Sequence, residues 1–264
     1  MNVNFVELTD IGNRDTNQDY FAHKITEQWQ VFILADGLGG HAGGERIATE
    51  FCLNFIGLLD DFIYQDKQKL DPKEALLACF DQTLLNMRQK FFDDALMQQA
   101  HTTCAIVYFD KNTLITLHIG DTRIYRISPQ QISRTRDHSV PQMLLDEGDI
   151  TEAEMANHPD QNRLTRSISL NCTHRPSCQV QAALKPDEAL ILCSDGFWSM
   201  LSEKELQTFA KQIPNNKFLA QKIKIAIKRA KGKSDNVTVQ WIKMAAATSP
   251  SIIQRLFSTL APIK

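Results

Sequence analysis

The sequence predicts an α+β fold built mainly from antiparallel strands. Short β-rich runs come first, two long amphipathic helices follow, and further strands come after them, so strands and helices cluster rather than alternate strictly. That order favours antiparallel sheets over a doubly wound parallel sheet. The chain has 264 residues, of which 43% are hydrophobic and 23% charged, and this composition is ample for a sizeable core.

Apolar periodicity and turn signals predict the elements of the N-terminal half. Two helices are predicted where apolar residues recur at helical spacing, from Ile47 to Leu59 and, after Pro72, from Leu76 to Ala95. Strands are predicted on either side of this helical pair, at residues 3–8, 20–24, 29–35, 102–109, 113–119 and 123–128.

The C-terminal half begins with a polar stretch, residues 135–175, in which only short marginal helices are expected. Beyond it, strands are predicted at residues 180–184, 189–193 and 236–243, and helices near residues 202–211 and 217–230. Residues 1–244 are predicted to form the folded domain, and residues 245–264 a linker and a short amphipathic tail. The tail has apolar residues at helical spacing, namely Ile252, Ile253, Leu256, Phe257 and Leu260. It is expected either to pack on the domain or to dock to a partner.

Charge and cysteine content exclude several classes of protein. Lys and Arg total 29 against 31 Asp and Glu, a net charge of −2, which argues against nucleic-acid binding. No apolar run approaches the roughly 18 residues of a membrane helix, and the N-terminus lacks the pattern of a signal peptide. The six cysteines show no C-x-x-C spacing. A disulfide framework is therefore not expected, and the predicted location is cytoplasmic.

Glycines crowd the segment that joins a predicted strand to the first helix. They are Gly37, Gly39, Gly40, Gly43 and Gly44. Glycine allows the backbone to approach a ligand closely, so this segment is a candidate binding loop. Gly37-x-Gly39-x-x-Ala42 also fits a loose dinucleotide fingerprint, but Asp36 would aim a carboxylate at the pyrophosphate and the next helix leads to another helix. A dinucleotide site is therefore disfavoured.

Aspartates stand at the ends of several predicted strands, mostly beside small residues. They are Asp19, Asp36, Asp121, Asp195 and Asp235. Carboxylate oxygens, carbonyl oxygens and water are the ligands of Mg²⁺ and Mn²⁺. The histidines show no zinc motif, and no G-x-S-x-G sequence indicates a serine nucleophile. The candidate chemistry is therefore that of hard divalent cations.

Seven sequence blocks occur in one order between residues 10 and 243. They are R-D-T-N-Q-D (14–19), A-D-G-L-G-G-H-A-G-G-E (35–45), H-I-G-D-T-R-I-Y (118–125), D-H-S (137–139), H-P-D-Q-N-R-L-T-R (158–166), C-S-D-G (193–196) and S-D-N-V-T-V (234–239). On these blocks the chain resembles the metal-dependent Ser/Thr protein phosphatases of type 2C in their bacterial form. The resemblance implies a four-layer α/β/β/α sandwich of two mostly antiparallel sheets flanked by helices, with residues 1–244 as the catalytic domain.

The resemblance also implies roles for the aspartates. Asp36 would bridge two Mn²⁺ or Mg²⁺ ions, with the Gly37 carbonyl on one ion and with Asp195 and Asp235 completing the protein ligands of the other. Asp19 would lie behind these ligands. In bacterial relatives, the residues matching Asp121 and Asp195 hold a third, weaker ion, and the one matching Arg14 binds the substrate phosphate.

The implied activity is hydrolysis of phosphoserine and phosphothreonine in proteins. A hydroxide bridging the metals would attack phosphorus in line, without a phosphoenzyme. The implied partners are phosphorylated proteins and an opposing Ser/Thr protein kinase, and the chain is expected to be a monomer. Two alternatives stay open: a pseudophosphatase that binds phosphoproteins, and a relative specialised for the phosphoserine of a bacterial regulator.

Residues 137–165 would form the family's flap, a surface loop beside the site. Its ends are Asp137, His138 and Ser139 on one side and Thr165 and Arg166 on the other, and the last two are expected to anchor its base.

The chain departs from the family at a few positions. Gln18 replaces a frequent Glu, and Leu38 replaces a His that many relatives use as a candidate general acid. His41 is then a possible general acid, although a proton from solvent is favoured. His101 and Ser169 replace glycines near predicted turns, and these changes motivate the pseudophosphatase alternative.

Overall fold

The computed structural model describes residues 2–38, 43–63, 71–171 and 174–245. The strands of the described residues are β1 (Val3–Asp10), β2 (Asp19–Ile25), β3 (Gln30–Leu38), β4 (His101–Thr102), β5 (Cys104–Phe109), β6 (Thr113–Ile119), β7 (Arg123–Ile127), β8 (Ile132–Arg134), β9 (Ile168–Ser169), β10 (Ser177–Ala182), β11 (Ala189–Cys193) and β12 (Val237–Met244). The helices are α1 (Gly43–Ile63), α2 (Pro72–Lys90), α3 (Ala95–Gln99), α4 (Val140–Glu147), α5 (Glu152–Met155), α6 (Asp195–Trp198), α7 (Glu203–Gln207) and α8 (Asn216–Arg229).

The strands form two antiparallel sheets. A five-stranded sheet has the order β1-β12-β11-β7-β8, and a seven-stranded sheet has the order β10-β6-β5-β3-β4-β9 with β2 also paired to β3. Every strand pair in the described residues is antiparallel. The predicted α+β class with antiparallel sheets is confirmed.

Alternating side chains on the strands divide the interior into three apolar layers. On β5, Ile106 faces a core shared with α1 and α2, whereas its neighbour Val107 faces the core between the two sheets. On β11, Leu192 joins the core between the sheets and Ile191 joins a third core under α8. Since successive strand residues point to opposite faces, each sheet is apolar on both sides. The result is the predicted four-layer α/β/β/α sandwich.

The long helices start at residues whose side chains bind free backbone N–H groups. Asp71 accepts from the N–H of Lys73 before Pro72 opens α2, and Asn215 accepts from the N–H of Phe218 at the start of α8. Such caps satisfy donors that a helix terminus leaves without an internal partner. They explain why both helices begin where the apolar periodicity does.

Several boundaries differ from the sequence prediction. The second predicted helix ran through Ala95, but α2 ends at Lys90 and Asp94 caps a separate α3, accepting from the N–H of Met97 at 3.2 Å. The strand predicted at residues 102–109 is interrupted at Thr103, whose N–H instead donates to the carbonyl of Asp36 at 2.8 Å. The strand predicted at 180–184 begins three residues earlier and ends two residues earlier, as β10. The short strands β8 and β9 and the helix α6 were not predicted.

No helix of the described residues has the length and hydropathy of a membrane span. Five cysteines there have free thiols, namely Cys52, Cys79, Cys104, Cys178 and Cys193. The predicted C-terminal tail lies outside the described residues, apart from Ala245, whose N–H donates to the carbonyl of Asn2 at 2.9 Å.

Candidate metal centre

Carboxylates from both sheets meet at one end of the sandwich. Asp19 and Asp36 are register partners on β2 and β3 of the seven-stranded sheet. Asp195 follows β11 and Asp235 precedes β12 in the five-stranded sheet. Asp121 lies between β6 and β7, where the chain passes from one sheet to the other. The five aspartates singled out at strand ends therefore converge from both sheets and from the connection between them.

Four of these aspartates, all but Asp19, line one pocket of about 310 Å³. The described lining also includes Arg14, Gln18, Gly37, Leu38, Asn162 and Leu164. Arg14 is the only cationic side chain of this described lining, so the pocket has a clear excess of carboxylate.

Asp19 lies behind the pocket and connects the two sheets. It is 7% exposed, and its Oδ2 accepts a hydrogen bond of 2.7 Å from Ser194 Oγ. The same hydroxyl oxygen accepts from the N–H of Thr238 at 3.0 Å. Ser194 thus fixes one oxygen of Asp19 and leaves Oδ1 directed elsewhere.

The backbone of Asp36 is held on both sides. Its N–H donates to Thr103 Oγ1 at 3.1 Å, and its carbonyl accepts from Thr102 Oγ1 at 2.9 Å. The next residue, Gly37, lies so close to Gly44 that a Cβ at position 37 would overlap the Gly44 carbonyl. Glycine is therefore required where the end of β3 contacts the start of α1, which explains part of the glycine-rich segment.

Burial and mutual repulsion raise the pKa values of Asp19, Asp36, Asp121 and Asp195. Burial is the largest cause at each, and it raises the pKa of Asp19 to about 6 and that of Asp121 to about 7. The pKa values of Asp36 and Asp195 are raised well above the ordinary 3.8, first by burial and then by the charges of Asp19 and Asp121, respectively. Negative charge in this cluster is thus unfavourable unless a cation compensates it.

The donor set fits divalent cations of the Mg²⁺ or Mn²⁺ class. Oδ1 of Asp19 and Oδ1 of Asp195 are buried and have no hydrogen-bond partner among the described residues, a costly arrangement that an ion or its water would relieve. Within the described chain, no three His, Cys, Asp or Glu groups meet as a ready-made ligand set. That spacing still suits Mg²⁺, which keeps several waters and takes only one or two carboxylates from the protein.

Arg14 enters the pocket on the loop between β1 and β2. Its Nη2 donates to Asp235 Oδ2 at 2.6 Å, and its side chain is 54% exposed. The loop passes directly over the backbone of Asp235. A Cβ at Gly12 would overlap the Asp235 carbonyl, and Gly12 has a φ of +64°, so glycine is required there. A half-exposed guanidinium beside the carboxylates is available to an anionic substrate.

Asn236 fastens the same loop and was missed by the sequence analysis. Its Nδ2 donates to the carbonyls of Ile11 and Thr16, each at 3.0 Å, and its Oδ1 accepts from the N–H of Gln18 at 2.8 Å. The side chain is buried. The one sequence signal for this role was the position of Asn236 next to Asp235 in the S-D-N block. No local pattern links Asn236 to the residues it binds, since they are more than two hundred positions away in the chain.

The two ends of the flap are hydrogen-bonded to each other. The N–H of Thr165 donates to the carbonyl of His138 at 2.8 Å, and Ser139 forms a β-bridge with Leu164. Ser139 also caps α4, with its Oγ accepting from the N–H of Gln142. Arg166 is exposed.

His138 holds the flap against the strand that leads to Asp121. Its ring stacks on His118 with centroids 4.6 Å apart and an angle of 3°. The N–H of Gly120 donates to its Nδ1 at 3.2 Å. Burial lowers the pKa of His138 to about 3, with the neighbouring His118 the next cause, so both nitrogen positions serve as neutral hydrogen-bonding groups at neutral pH.

Asp137 forms a buried ion pair with Arg123. Nε of Arg123 lies 2.9 Å from Asp137 Oδ1, and its Nη2 lies 2.7 Å from Oδ2. The guanidinium carbon is 3.4 Å from the centroid of the Trp198 ring, and Trp198 Nε1 donates to the carbonyl of Asp121 at 2.9 Å. The flap is thus linked to Asp121 through Arg123 and Trp198.

Two of the predicted features need a different description. His101 and Ser169 were expected near turns, but they are register partners in β4 and β9, and His101 Nδ1 is 2.9 Å from Ser167 Oγ. Regular strand pairing does not need glycine at either position, and neither residue belongs to the described lining of the pocket. His41, the possible general acid, lies outside the described residues.

Comparisons with known proteins agree on one family. A sequence model described as "Protein phosphatase 2C" matches residues 9–225. Protein phosphatase PhpP of Streptococcus pneumoniae is 32% identical over 246 residues, which covers 90% of this chain and 96% of PhpP.

Solved structures show the same fold. The serine/threonine phosphatase PstP/Ppp of Mycobacterium tuberculosis is 26% identical with a TM-score of 0.76, over 92% of this chain and 99% of that one. The catalytic domain of PstP has also been solved in complex with 2 manganese ions; that structure is 24% identical with a TM-score of 0.76, over 92% of this chain and 99% of that one.

Proposed function

This chain belongs to the protein phosphatase 2C family, in its bacterial form, and from that membership we infer that it is a metal-dependent protein phosphatase acting on phosphoserine and phosphothreonine. The observation that carries the proposal is the convergence of five aspartates from two sheets beside a single exposed arginine. Such an arrangement supplies hard-cation ligands and a phosphate-binding group in one pocket.

We propose that the aspartates divide the metal-binding work according to their positions. Asp36 would serve both core ions, the carbonyl of Gly37 would bind one of them, and Asp195 and Asp235 would complete the protein ligands of the other. Asp121 contributes to a third and weaker site with Asp195. Asp19, fixed by Ser194, orients water behind these ligands.

The cations, when bound, would lower the pKa of a water so that it can lose a proton and attack phosphorus near neutral pH, and they would neutralise charge on the phosphoryl oxygens. Either Mn²⁺ or Mg²⁺ has the required preference for oxygen ligands, and the PstP catalytic domain was solved with two manganese ions. We propose in-line hydrolysis without a phosphoenzyme, because the described lining of the pocket offers no Ser, Cys or His nucleophile and its four aspartates are assigned to the cations.

Arg14 is proposed to bind the substrate phosphate. A guanidinium presents two N–H groups in the plane that a phosphate needs, which a lysine ammonium does not. Its exposure and its place on the pocket wall support this role. We propose that solvent gives the proton to the leaving serine or threonine oxygen, since the pocket is open to water at Arg14. A His41→Ala variant with an unchanged pH–rate profile would support that assignment.

The biological setting is part of the same proposal. We propose that residues 1–244 form the catalytic domain, that the chain acts as a monomer in the cytoplasm, and that it opposes a Ser/Thr protein kinase. Its substrates are phosphorylated proteins, and it is not expected to bind nucleic acid.

The decisive experiment measures phosphate release from a phosphothreonine peptide with Mn²⁺, with Mg²⁺ and with a chelator. Release that requires the cation supports the proposal, and release that persists fully in chelator would disprove it. Calorimetry with Mn²⁺ separates the pseudophosphatase, which would bind metal without turnover. Parallel assays with a phosphorylated bacterial regulator test for the specialised alternative.

A further inference from the structure

A second cavity in the described part of the chain is larger than the acidic pocket. It has a volume of about 690 Å³ and lies between flap helix α5, strand β8 and helices α6 and α7. Cavities of roughly 300–1,000 Å³ are the size that proteins use for ligands and inserted side chains. None of the metal-site roles proposed above uses this cavity.

The cavity has an apolar floor and a charged rim, on which Arg123 is already paired with Asp137. The floor is formed by Ile132, Trp198, Met200, Leu201 and Leu206. On the rim, Arg134 is already paired with Glu152 at 2.6 Å, whereas Glu203 forms no ion pair within the described residues. An occupant should therefore present apolar side chains together with positive charge.

The C-terminal segment of this chain has that chemistry. Residues 246–264 carry Ile252, Ile253, Leu256, Phe257 and Leu260 at helical spacing. They also contain Arg255 and Lys264 and no Asp or Glu. We propose that residues 246–264 bind in the cavity of their own chain, with apolar side chains against Trp198 and Leu206 and with Arg255 beside Glu203.

The C-terminal segment is long enough to reach the cavity. Lys243, Ala189, Ile127 and Ile132 are register partners in one row across β12, β11, β7 and β8. Three strand spacings separate Lys243 from Ile132 on the cavity wall, about 14 Å. Residues 245–251 extend to about 23 Å when fully stretched. The apolar part of the segment can therefore arrive at the cavity without displacing any strand.

Attachment to the same chain makes weak contacts effective. A tethered segment experiences an effective concentration in the millimolar range, so binding does not need the affinity of a separate peptide. Occupancy would also be felt at the metal centre, because Trp198 donates to the carbonyl of Asp121 and helix α6, which contains Trp198, begins at Asp195.

Fluorine NMR of the full chain labelled with fluorotryptophan tests the proposal without truncation. The chain has 3 tryptophans, and only Trp198 lines the cavity, while Trp29 and Trp241 are buried in other places and act as internal references. The resonance of Trp198 is assigned with Trp198→Phe. Phe257→Asp is expected to shift the Trp198 resonance and leave the other two unchanged. Phe92→Asp, the same change at a residue that is 76% exposed and outside the cavity lining, is expected to shift none.

A charge exchange tests the contact with the rim. Glu203→Arg should move the Trp198 resonance toward its position in Phe257→Asp, and adding Arg255→Glu should return it toward wild type. Glu27→Arg, an exposed carboxylate in the β2–β3 turn, serves as the control. The docking proposal is wrong if Phe257→Asp leaves Trp198 unchanged, which would assign the cavity to an external ligand. A shift that depends on protein concentration would likewise overturn it in favour of a second copy of the chain.

Discussion

Arg14 Nη2 lies 2.6 Å from Asp235 Oδ2, so the proposed phosphate-binding residue contacts a proposed metal ligand directly. The pair is partly exposed, and its contribution to stability is therefore expected to be small. Its importance is positional, because the same carboxylate faces both the guanidinium and the pocket. Loss of Arg14 and loss of Asp235 should consequently have different kinetic signatures.

Arg14→Ala is expected to raise KM for a phosphopeptide more than it lowers kcat, with a total loss in kcat/KM of about 10–100-fold. The reason is that the guanidinium binds the phosphate before the reaction and is not a metal ligand. Arg14→Lys should recover only part of the loss, since an ammonium lacks the planar pair of donors. Steady-state kinetics measure both variants, and calorimetry should show Mn²⁺ affinity no lower than in wild type. A loss of Mn²⁺ binding in Arg14→Ala would contradict the assignment.

Asp36→Asn is expected to reduce kcat by more than about 100-fold, because one neutral amide replaces the charge proposed to serve two ions. Circular dichroism checks that the variant folds, and Asp187→Asn is the matched control at an exposed position. A folded Asp36→Asn protein with more than a hundredth of the activity would argue against a bridging role. Asp121→Ala is expected to retain binding of two Mn²⁺ ions and to lower only the rate.

Asn236→Ala is expected to destabilise the fold by about 2–3 kcal/mol, because the three hydrogen bonds of its side chain, to the carbonyls of Ile11 and Thr16 and to the N–H of Gln18, are lost. Asn236→Asp keeps the acceptor for Gln18 and loses the donors, so it should separate the two contributions. Urea denaturation gives the free energy of unfolding, and KM reports the position of the loop. An Asn236→Ala variant with wild-type stability and an unchanged KM would mean that the loop is fastened by other contacts.

The metal-free protein should lose stability as pH rises through the acidic cluster. The pKa of Asp121 is about 7 in the folded protein against an ordinary value of 3.8, so the folded state binds a proton that the unfolded chain releases. Its contribution is favourable below about pH 4 and disappears as pH rises to about 7. Buried His138, whose folded pKa is about 3, has the opposite effect. Its contribution to stability is lost as pH falls below its ordinary pKa of 6.5.

The effect of the Asp121 carboxyl group on stability can be isolated by comparing Asp121→Asn with wild type. In chelator, the stability of Asp121→Asn relative to wild type should improve by on the order of 2 kcal/mol between about pH 5 and pH 8. Urea denaturation at both pH values provides the measurement, and saturating Mn²⁺ should abolish the improvement. An unchanged difference across this range would show that Asp121 is already ionised in the metal-free fold.

The buried pair between Arg123 and Asp137 gives a further prediction. Arg123→Met should cost about 3–5 kcal/mol, because it leaves the Asp137 carboxylate buried without its cation. Adding Asp137→Leu should recover much of that loss, since no unpaired charge remains. A double-mutant cycle in urea measures the coupling. Simple additivity of the two changes would mean that Arg134, which lies 3.5 Å from Asp137, carries the interaction instead.

The aspartates were found from sequence because local signals mark strand ends. Asp36 and Asp195 each precede a glycine after an apolar run, and that pattern needs no knowledge of the tertiary fold. The role of Asn236 escaped notice because its hydrogen bond with the N–H of Gln18 joins residues 218 positions apart. Strand β8 was missed since three residues at a sheet edge carry almost no periodic signal. The helix α2 was extended too far because apolar spacing continues past Lys90, and only the cap at Asp94 shows the break.

Ser194 directly follows β11 of the five-stranded sheet, and its hydroxyl holds Asp19 of the seven-stranded sheet. Neither sheet alone contains the five carboxylates. During refolding, the acidic pocket can therefore be completed only when the two sheets dock. Recovery of Mn²⁺ binding in a refolding experiment should lag behind recovery of secondary structure and coincide with burial of the layer between the sheets. The metal would then act as a probe for the last step of folding.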